Sequence, residues 1–262
     1  MFSSTMKMLP KTNEHAALPG MAGGLPSSLS HADLGLFPGT KPMGKRTRRG
    51  LTSSFTGVFA STKCLGLPRF ESLLERDFHT LLCCDPRVAC YAVQSHQLTY
   101  FTPNRTGTWT ERLYTPDFIV RLTSGQTLII EVKAEAFTTS SYWCSREPYI
   151  RNAYARDYAL QFVLITERRI RVQPRLSNFQ KMLRYGGRYD DRSAVQAVSD
   201  ALARLPQAVC IGDICDVVRL RQNRTARAYA AIMSLALRGR VCLDLESPFS
   251  LTTAVTRGGE DE

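Results

Sequence analysis

Residues 114–135, "YTPDFIVRLTSGQTLIIEVKAE", limit the fold more than any other part of the chain. Their Ile, Val, Leu and Phe residues call for burial in a sheet, yet Asp117, Glu131 and Lys133 sit among them. A charge on a buried strand is costly unless it is paired or bound to a metal. Thr123, Ser124 and Gly125 separate two strand-forming runs, residues 113–122 and 126–132. A three-residue hairpin loop puts its last residue in the left-handed region, a place that suits Gly. That loop pairs Leu122 with Gln126, and counting outward sets Asp117 across from Glu131. Side chains alternate along a strand, so Lys133 shares the face of Glu131 and Val132 takes the other. Two carboxylates and an ammonium then converge. Carboxylates that close resist joint ionisation unless a cation lies between them, and Mg, hard and oxygen-seeking, is the natural occupant. A plain cross-strand Asp/Lys pair on an edge strand is the alternative.

Before this hairpin, "PRFESLLERDFHTLLCC" spaces Phe70, Leu73, Leu74, Phe78, Leu81 and Leu82 as one face of a helix. Glu75 falls in the second half of that helix and could add a third carboxylate from the side; the alternative is a solvated helix face. "RVACYAV" and "QLTYFT" read as short strands around the turn "PNRTGTW". Beyond the hairpin, "EPYIRNAYARDYAL" reads as a helix, "QFVLITE" as a strand, and "RLSNFQKMLRYG" as a helix closed by Gly186. Residues 61–187 therefore predict a mixed α/β domain. Residues 190–255 then offer three helices, "SAVQAVSDALARL", "IGDICDVVRL" and "NRTARAYAAIMSLALRG", and two short strands, the pattern of a winged helix-turn-helix. The last helix should pack Ala226, Tyr229, Ala230, Met233 and Leu237 inward and turn Arg224, Arg227 and Arg238 outward. Residues 1–60, rich in Gly, Pro and Ser and ending in the basic "KRTRRG", predict an unpacked arm, and 256–262 a free tail.

The 262 residues carry a formal net charge of +11, which favours a polyanionic partner such as nucleic acid or a membrane surface. An Arg-rich run that includes Arg168, Arg169, Arg171 and Arg175 follows the α/β region and could grip a DNA backbone, as could Arg224 and Arg227; a merely solvated basic surface explains them equally well. No apolar run is long enough to span a bilayer, and the first twenty residues lack the apolar core of a signal peptide, so the expected location is cytoplasmic. Eight scattered cysteines and four histidines show no zinc spacing and read as reduced core thiols and isolated imidazoles.

The order "ESLLERDF", "PDF", "EVK", "FVLITE" resembles the catalytic domain of TnsA, the restriction-endonuclease-like subunit of heteromeric cut-and-paste transposases. The helical segment ending in "LRGRVCLDLESPFSLTTAV" resembles that family's C-terminal winged-helix domain. The resemblance spans about residues 65–255. It implies a mixed-sheet restriction-endonuclease-like core followed by an α-helical winged-helix domain. Glu75, Asp117 and Glu131 would be metal ligands with the Val132 carbonyl, Lys133 the catalytic lysine, and Gln94 the family's Gln on the strand after the helix. Mg, with Mn as a substitute, would be the cofactor. The implied activity is hydrolysis of the 5′, non-transferred strand at the ends of a mobile element. A DDE-type transposase would cut and join the 3′ ends, and an AAA+ ATPase regulator would bind the C-terminal region. A stand-alone restriction-like or junction-resolving nuclease, and a non-catalytic DNA-binding module, are the competing readings.

Overall fold

The computed structural model describes residues 34–43, 55–187 and 190–258. They form two compact units: residues up to His79 together with Arg87–Ile170, and Thr80–Pro86 together with the chain from Arg171 onward.

The first unit runs β1 (Gly57–Val58), β2 (Arg69–Phe70), the body of α1 (Leu73–Cys84), β3 (Val88–Val93), β4 (Leu98–Pro103), β5 (Trp109–Tyr114), β6 (Phe118–Leu122), β7 (Thr127–Val132), α2 (Glu135–Thr138), α3 (Ser141–Cys144), α4 (Glu147–Tyr158), β8 (Gln161–Ile165) and α5 (Glu167–Ile170). Its main sheet has the order β3-β6-β7-β8, antiparallel except for the parallel β7–β8 pair. β7 is buried at all six positions, as the unbroken apolar run "TLII" requires of a strand covered on both faces. Residues 113–122, expected as one strand, are broken between β5 and β6. Pro116 has no N–H to give a ladder, and β5 instead pairs with β4 in a separate hairpin.

One face of the sheet packs Ile119 and Ile129 against Trp143, Ile150, Ala153 and Tyr154 from α3 and α4. On the other, Phe118 meets Phe78 and His79 of α1, with ring centroids 5.0 Å apart in each case. Leu34 is buried in the first core, and its carbonyl accepts from Ser95 Oγ at 2.6 Å. The Met43 N–H donates to the Gln94 carbonyl at 2.7 Å and the Gly39 N–H to the Leu65 carbonyl at 2.6 Å. The expectation of an unpacked arm through residue 60 therefore fails for 34–43, and β1 pairs with β2 over its last residues. A short apolar anchor with backbone partners offsets the ordering cost there. Residues 1–33 and the basic cluster at 45–49 lie outside the described residues.

The second unit holds the end of α1, α6 (Arg175–Gly186), α7 (Arg192–Arg204), β9 (Ala208–Cys210), α8 (Ile211–Val217), α9 (Arg224–Leu237), β10 (Val241–Leu243) and β11 (Ala254–Arg257). The strands form an antiparallel sheet ordered β10-β11-β9. The sequence pattern put α6 with the α/β domain. Asn178 explains why it belongs here: its amide Nδ2 donates to the Leu245 and Ser247 carbonyls at 3.4 and 2.8 Å, and its Oδ1 accepts from the Phe249 N–H at 3.0 Å. α9 is buried from Ala230 to Ala236, whereas Ala226, expected inside, is exposed. The expected free tail begins too early, since Thr256 and Arg257 belong to β11 and the Gly258 N–H donates to the Arg240 carbonyl at 3.0 Å.

Gly186 lets α6 lie close against the backbone of α9. A Cβ there would lie 2.6 Å from the Met233 carbonyl carbon and the Ser234 nitrogen, both backbone atoms that cannot swing aside. Gly186→Ala should therefore destabilise this unit by about 1–3 kcal/mol, read as a lower urea midpoint.

Two buried histidines predict a pH dependence. His79 Nε2 donates to the Arg69 carbonyl at 3.1 Å, which leaves Nδ1 to accept from the Tyr91 hydroxyl at 2.8 Å. His96 lies between Ser95 Oγ and the Tyr154 hydroxyl, at 3.1 and 2.9 Å. Burial lowers both to about 4, against an ordinary 6.5. Between these values the unfolded chain binds more protons than the folded one. Their contribution to stability is thus complete above about pH 6.5 and is lost as pH falls toward 4. The ring resonances of His79 and His96 should show no titration between pH 8 and 5.5, measured by NMR.

Candidate active site

Gly125 has φ +85° and closes the β6–β7 hairpin, with the Leu122 N–H donating to the Gln126 carbonyl at 2.8 Å. The register pairs Phe118 with Ile130 and Ile119 with Ile129. One step further out, Asp117 stands opposite Glu131. Both are buried, at 4% and 5% exposure. Burial of two carboxylates at one end of a sheet is the kind of arrangement that needs partners.

Those partners are specific. One oxygen of Asp117, Oδ2, accepts from the Val132 backbone N–H at 2.7 Å. Its backbone carbonyl accepts from the Gln94 N–H at 3.0 Å, and Gln94 itself is held at φ 45° just after β3. Glu131 Oε1 pairs with Lys133 Nζ at 3.0 Å, and Oε2 accepts from the Tyr114 hydroxyl at 2.5 Å. Lys133 Nζ also sits 4.2 Å from the centre of the Trp143 ring. The lysine is thus oriented between a carboxylate and an aromatic face. Burial, then the charges of Glu131 and Asp117, push the Tyr114 hydroxyl well above its ordinary range, so it remains a donor. Burial also raises Tyr154, whose ring meets the edge of Tyr114 at 6.4 Å.

The register brings Asp117, Glu131 and Lys133 together as the sequence pattern implies, and adds Tyr114 and Trp143, which that pattern did not single out. Trp143 is one of only two tryptophans, and it precedes a helix that must pack on the sheet; that was the available signal.

Glu75 is placed differently from the expectation. α1 begins at Leu73, so Glu75 lies in its first turn rather than its second half. Its Oε2 accepts from the Glu71 N–H at 2.8 Å and its Oε1 from Ser72 Oγ at 3.1 Å, while Ser72 Oγ accepts from the Glu75 N–H. This is a variant of the capping box: Ser72 caps the Glu75 N–H, and the Glu75 carboxylate reaches back to the Glu71 N–H just before the helix. Among the described residues no group of three or more His, Cys, Asp or Glu side chains is arranged to hold a metal ion.

The arginines expected to meet DNA divide into two sets. Arg168, Arg169, Arg171 and Arg224 are exposed, Arg168 lying 3.6 Å from Glu135 and Arg224 4.0 Å from Asp216. Arg175 is buried at the start of α6. Arg227 is half-buried and holds the fold together: it pairs with Asp191 at 2.7 Å and donates to Ser193 Oγ and the Arg221 carbonyl. Neither of these two is a surface cation.

Tyr114→Phe should keep the fold but cost about 1.5–3 kcal/mol, because a buried carboxylate loses a short hydroxyl donor and gains nothing in return. Urea denaturation at pH 7 checks this; an unchanged midpoint would mean that Glu131 is fully served by its other contacts.

Residues 85–167 match the family described as TnsA-like endonuclease N terminal. The matched region begins at the end of α1 and takes in the whole β3–β8 sheet, with Asp117, Glu131, Lys133, Tyr114 and Trp143 inside it. This part of the chain is a TnsA-type, restriction-endonuclease-like domain. No curated protein matches the chain. Among the described residues no helix is long and apolar enough to cross a membrane.

Proposed function

We propose, with residues 85–167 as a TnsA-like endonuclease domain, that the chain is the DNA endonuclease subunit of a transposase, cutting the 5′, non-transferred strand at the ends of a mobile element. The observation that carries this reading is the buried pair Asp117 and Glu131, opposite each other in register, with Lys133 held against Glu131 at 3.0 Å. Buried carboxylates set face to face in a sheet are costly as a purely structural feature, whereas metal-assisted phosphodiester hydrolysis uses clustered carboxylates to hold the cation.

The donor set fits a hard divalent cation: two buried carboxylates with the adjacent Val132 carbonyl, all oxygen. Mg, or Mn in its place, would supply charge neutralisation and a more acidic bound water. The chain's own groups do the rest. Asp117 is fixed by the Val132 N–H and cannot rotate away. Tyr114 holds Glu131 from one side. Lys133, held between Glu131 and Trp143, would hold a hydroxide or meet the developing negative charge on phosphate.

The exposed Arg168, Arg169, Arg171 and Arg224 would neutralise backbone phosphates. The C-terminal unit, with helices α7, α8 and α9 and the sheet β10-β11-β9, has the element order of a winged helix, and we read it as that domain. In this assignment a DDE-type transposase cuts and joins the 3′ ends, an AAA+ ATPase regulator meets the C-terminal region, and the complex works on the DNA of the cytoplasm.

Asp117→Ala tests the reading. It removes one carboxylate and little packing, so the fold should survive, with some relief of repulsion at Glu131. Cleavage of the 5′ strand should drop by orders of magnitude in Mg or Mn, while the partner still cuts and joins the 3′ ends. Strand-specific mapping of breaks, with the full partner set, reads both. Retained 5′ cleavage would exclude Asp117, and loss of both cuts in an assembled complex would favour a single nuclease acting alone.

A further inference from the structure

A groove of about 970 Å³ lies in the first unit between the β4–β5 hairpin and α3–α4. Its lining includes Arg112, Leu113, Tyr142, Arg146 and Tyr149, and Glu111 is the one acidic residue there. The nuclease reading does not use it.

We propose that this groove holds an unpaired stretch of the DNA strand whose phosphate lies at Asp117 and Glu131. The proposal rests on the nuclease reading and specifies the form of its substrate. Three observations carry it.

The first is continuity with the site. One wall is β5, which ends in Tyr114, the residue that donates to Glu131. The other wall carries Tyr142, whose neighbour Trp143 lies against Lys133. A strand leaving the site has both walls beside it. From Tyr114 to Trp109, β5 extends about 17 Å at a strand's rise per residue, roughly five stacked base steps.

The second is exposed aromatic surface. Trp109 is 62% exposed at the far end of β5 and meets the edge of Tyr149 at 6.1 Å. Tyr142 is 69% exposed. Rings left this open cost solvation without helping the core, and they suit stacking on bases. Only unpaired bases offer their faces; a duplex keeps them stacked.

The third is charge. The Arg146 guanidinium lies over the Tyr142 ring at 4.7 Å and the Tyr100 ring at 5.6 Å, and its Nε donates to the Tyr100 hydroxyl at 2.6 Å. It is a planar cation held rigid at the groove wall, suited to a phosphate or to the face of a base. Arg112 projects from the opposite wall. Cations interleaved with rings, and a single acid, describe a channel for single-stranded nucleic acid better than a seat for a protein helix.

The test measures binding by the full chain in EDTA, where cleavage plays no part. A ten-nucleotide oligothymidylate should quench tryptophan fluorescence and bind more tightly than a blunt duplex of the same length. Trp109→Ala and Arg112→Glu, both on the exposed hairpin, should each lower the ratio of oligonucleotide to duplex affinity about tenfold or more. A ratio unchanged in both variants, or an oligonucleotide bound no better than the duplex, would overturn the proposal and leave the groove as a protein contact. Because no hydrolysis is read, that result would leave the Asp117→Ala cleavage test standing on its own.

Discussion

A carboxylate buried at the end of a central strand organises one end of the main sheet in the first unit. Glu131 is buried at 5% exposure, and two of its partners come from different elements: Tyr114 from β5 and Lys133 from the residue after β7. Each is in turn placed by packing. Tyr114 leans on Tyr154 and Phe162, and Lys133 on Trp143. The requirement to satisfy one acid therefore explains why the β4–β5 hairpin and α3 converge on the same end of the sheet. It also explains why apolar residues dominate the surroundings of so polar a centre, since a low dielectric strengthens the interactions that the site depends on.

The second unit is governed by close packing and one buried amide. Asn178 is fully buried, and its side chain serves the backbone of residues 245–249, a connection between β10 and β11 that has no ladder of its own. Polar groups of a loop cannot be buried unpaired, so this amide is what lets the loop lie inward. Gly186 supplies the complementary steric condition, an absent side chain where α6 meets the backbone of α9.

What the sequence revealed and what it hid follow from the range of each interaction. The hairpin register was legible because it depends on three consecutive residues and a period of two, and Gly125 takes the left-handed conformation that the loop requires. The helices α4, α6, α7 and α9 were legible from their periodicity. The position of Glu75 was misread although the local signal was present: Ser72-Leu73-Leu74-Glu75 is a capping motif and marks a helix start. The burial of Arg175 and the pairing of Arg227 with Asp191 were not legible, because an arginine's partner lies 36 residues away in the second case and nothing local distinguishes it from a surface cation. The same holds for Leu34, which with Leu36 lies in a Gly- and Pro-rich stretch and finds its place only through the folded sheet. Tyr114 and Trp143 belong to the same class, neighbours of Glu131 and Lys133 brought in by topology.

The capping role of Glu75 sharpens the picture of the site. A capping interaction is worth about 1 kcal/mol, a weak hold compared with a coordinate bond to a divalent cation. Energy alone would therefore not keep Glu75 out of a metal's coordination. Placement counts more: the body of α1 packs Phe78 and His79 against Phe118, and Phe118 lies on the opposite face of the sheet from Ile119 and Ile129, the face continued by Glu131 and Lys133. A carboxylate arriving from α1 would have to come around the end of the sheet and release both the Glu71 N–H and Ser72. The groups that this fold brings together without rearrangement are Asp117 and Glu131, opposite each other in register, and Lys133 beside Glu131.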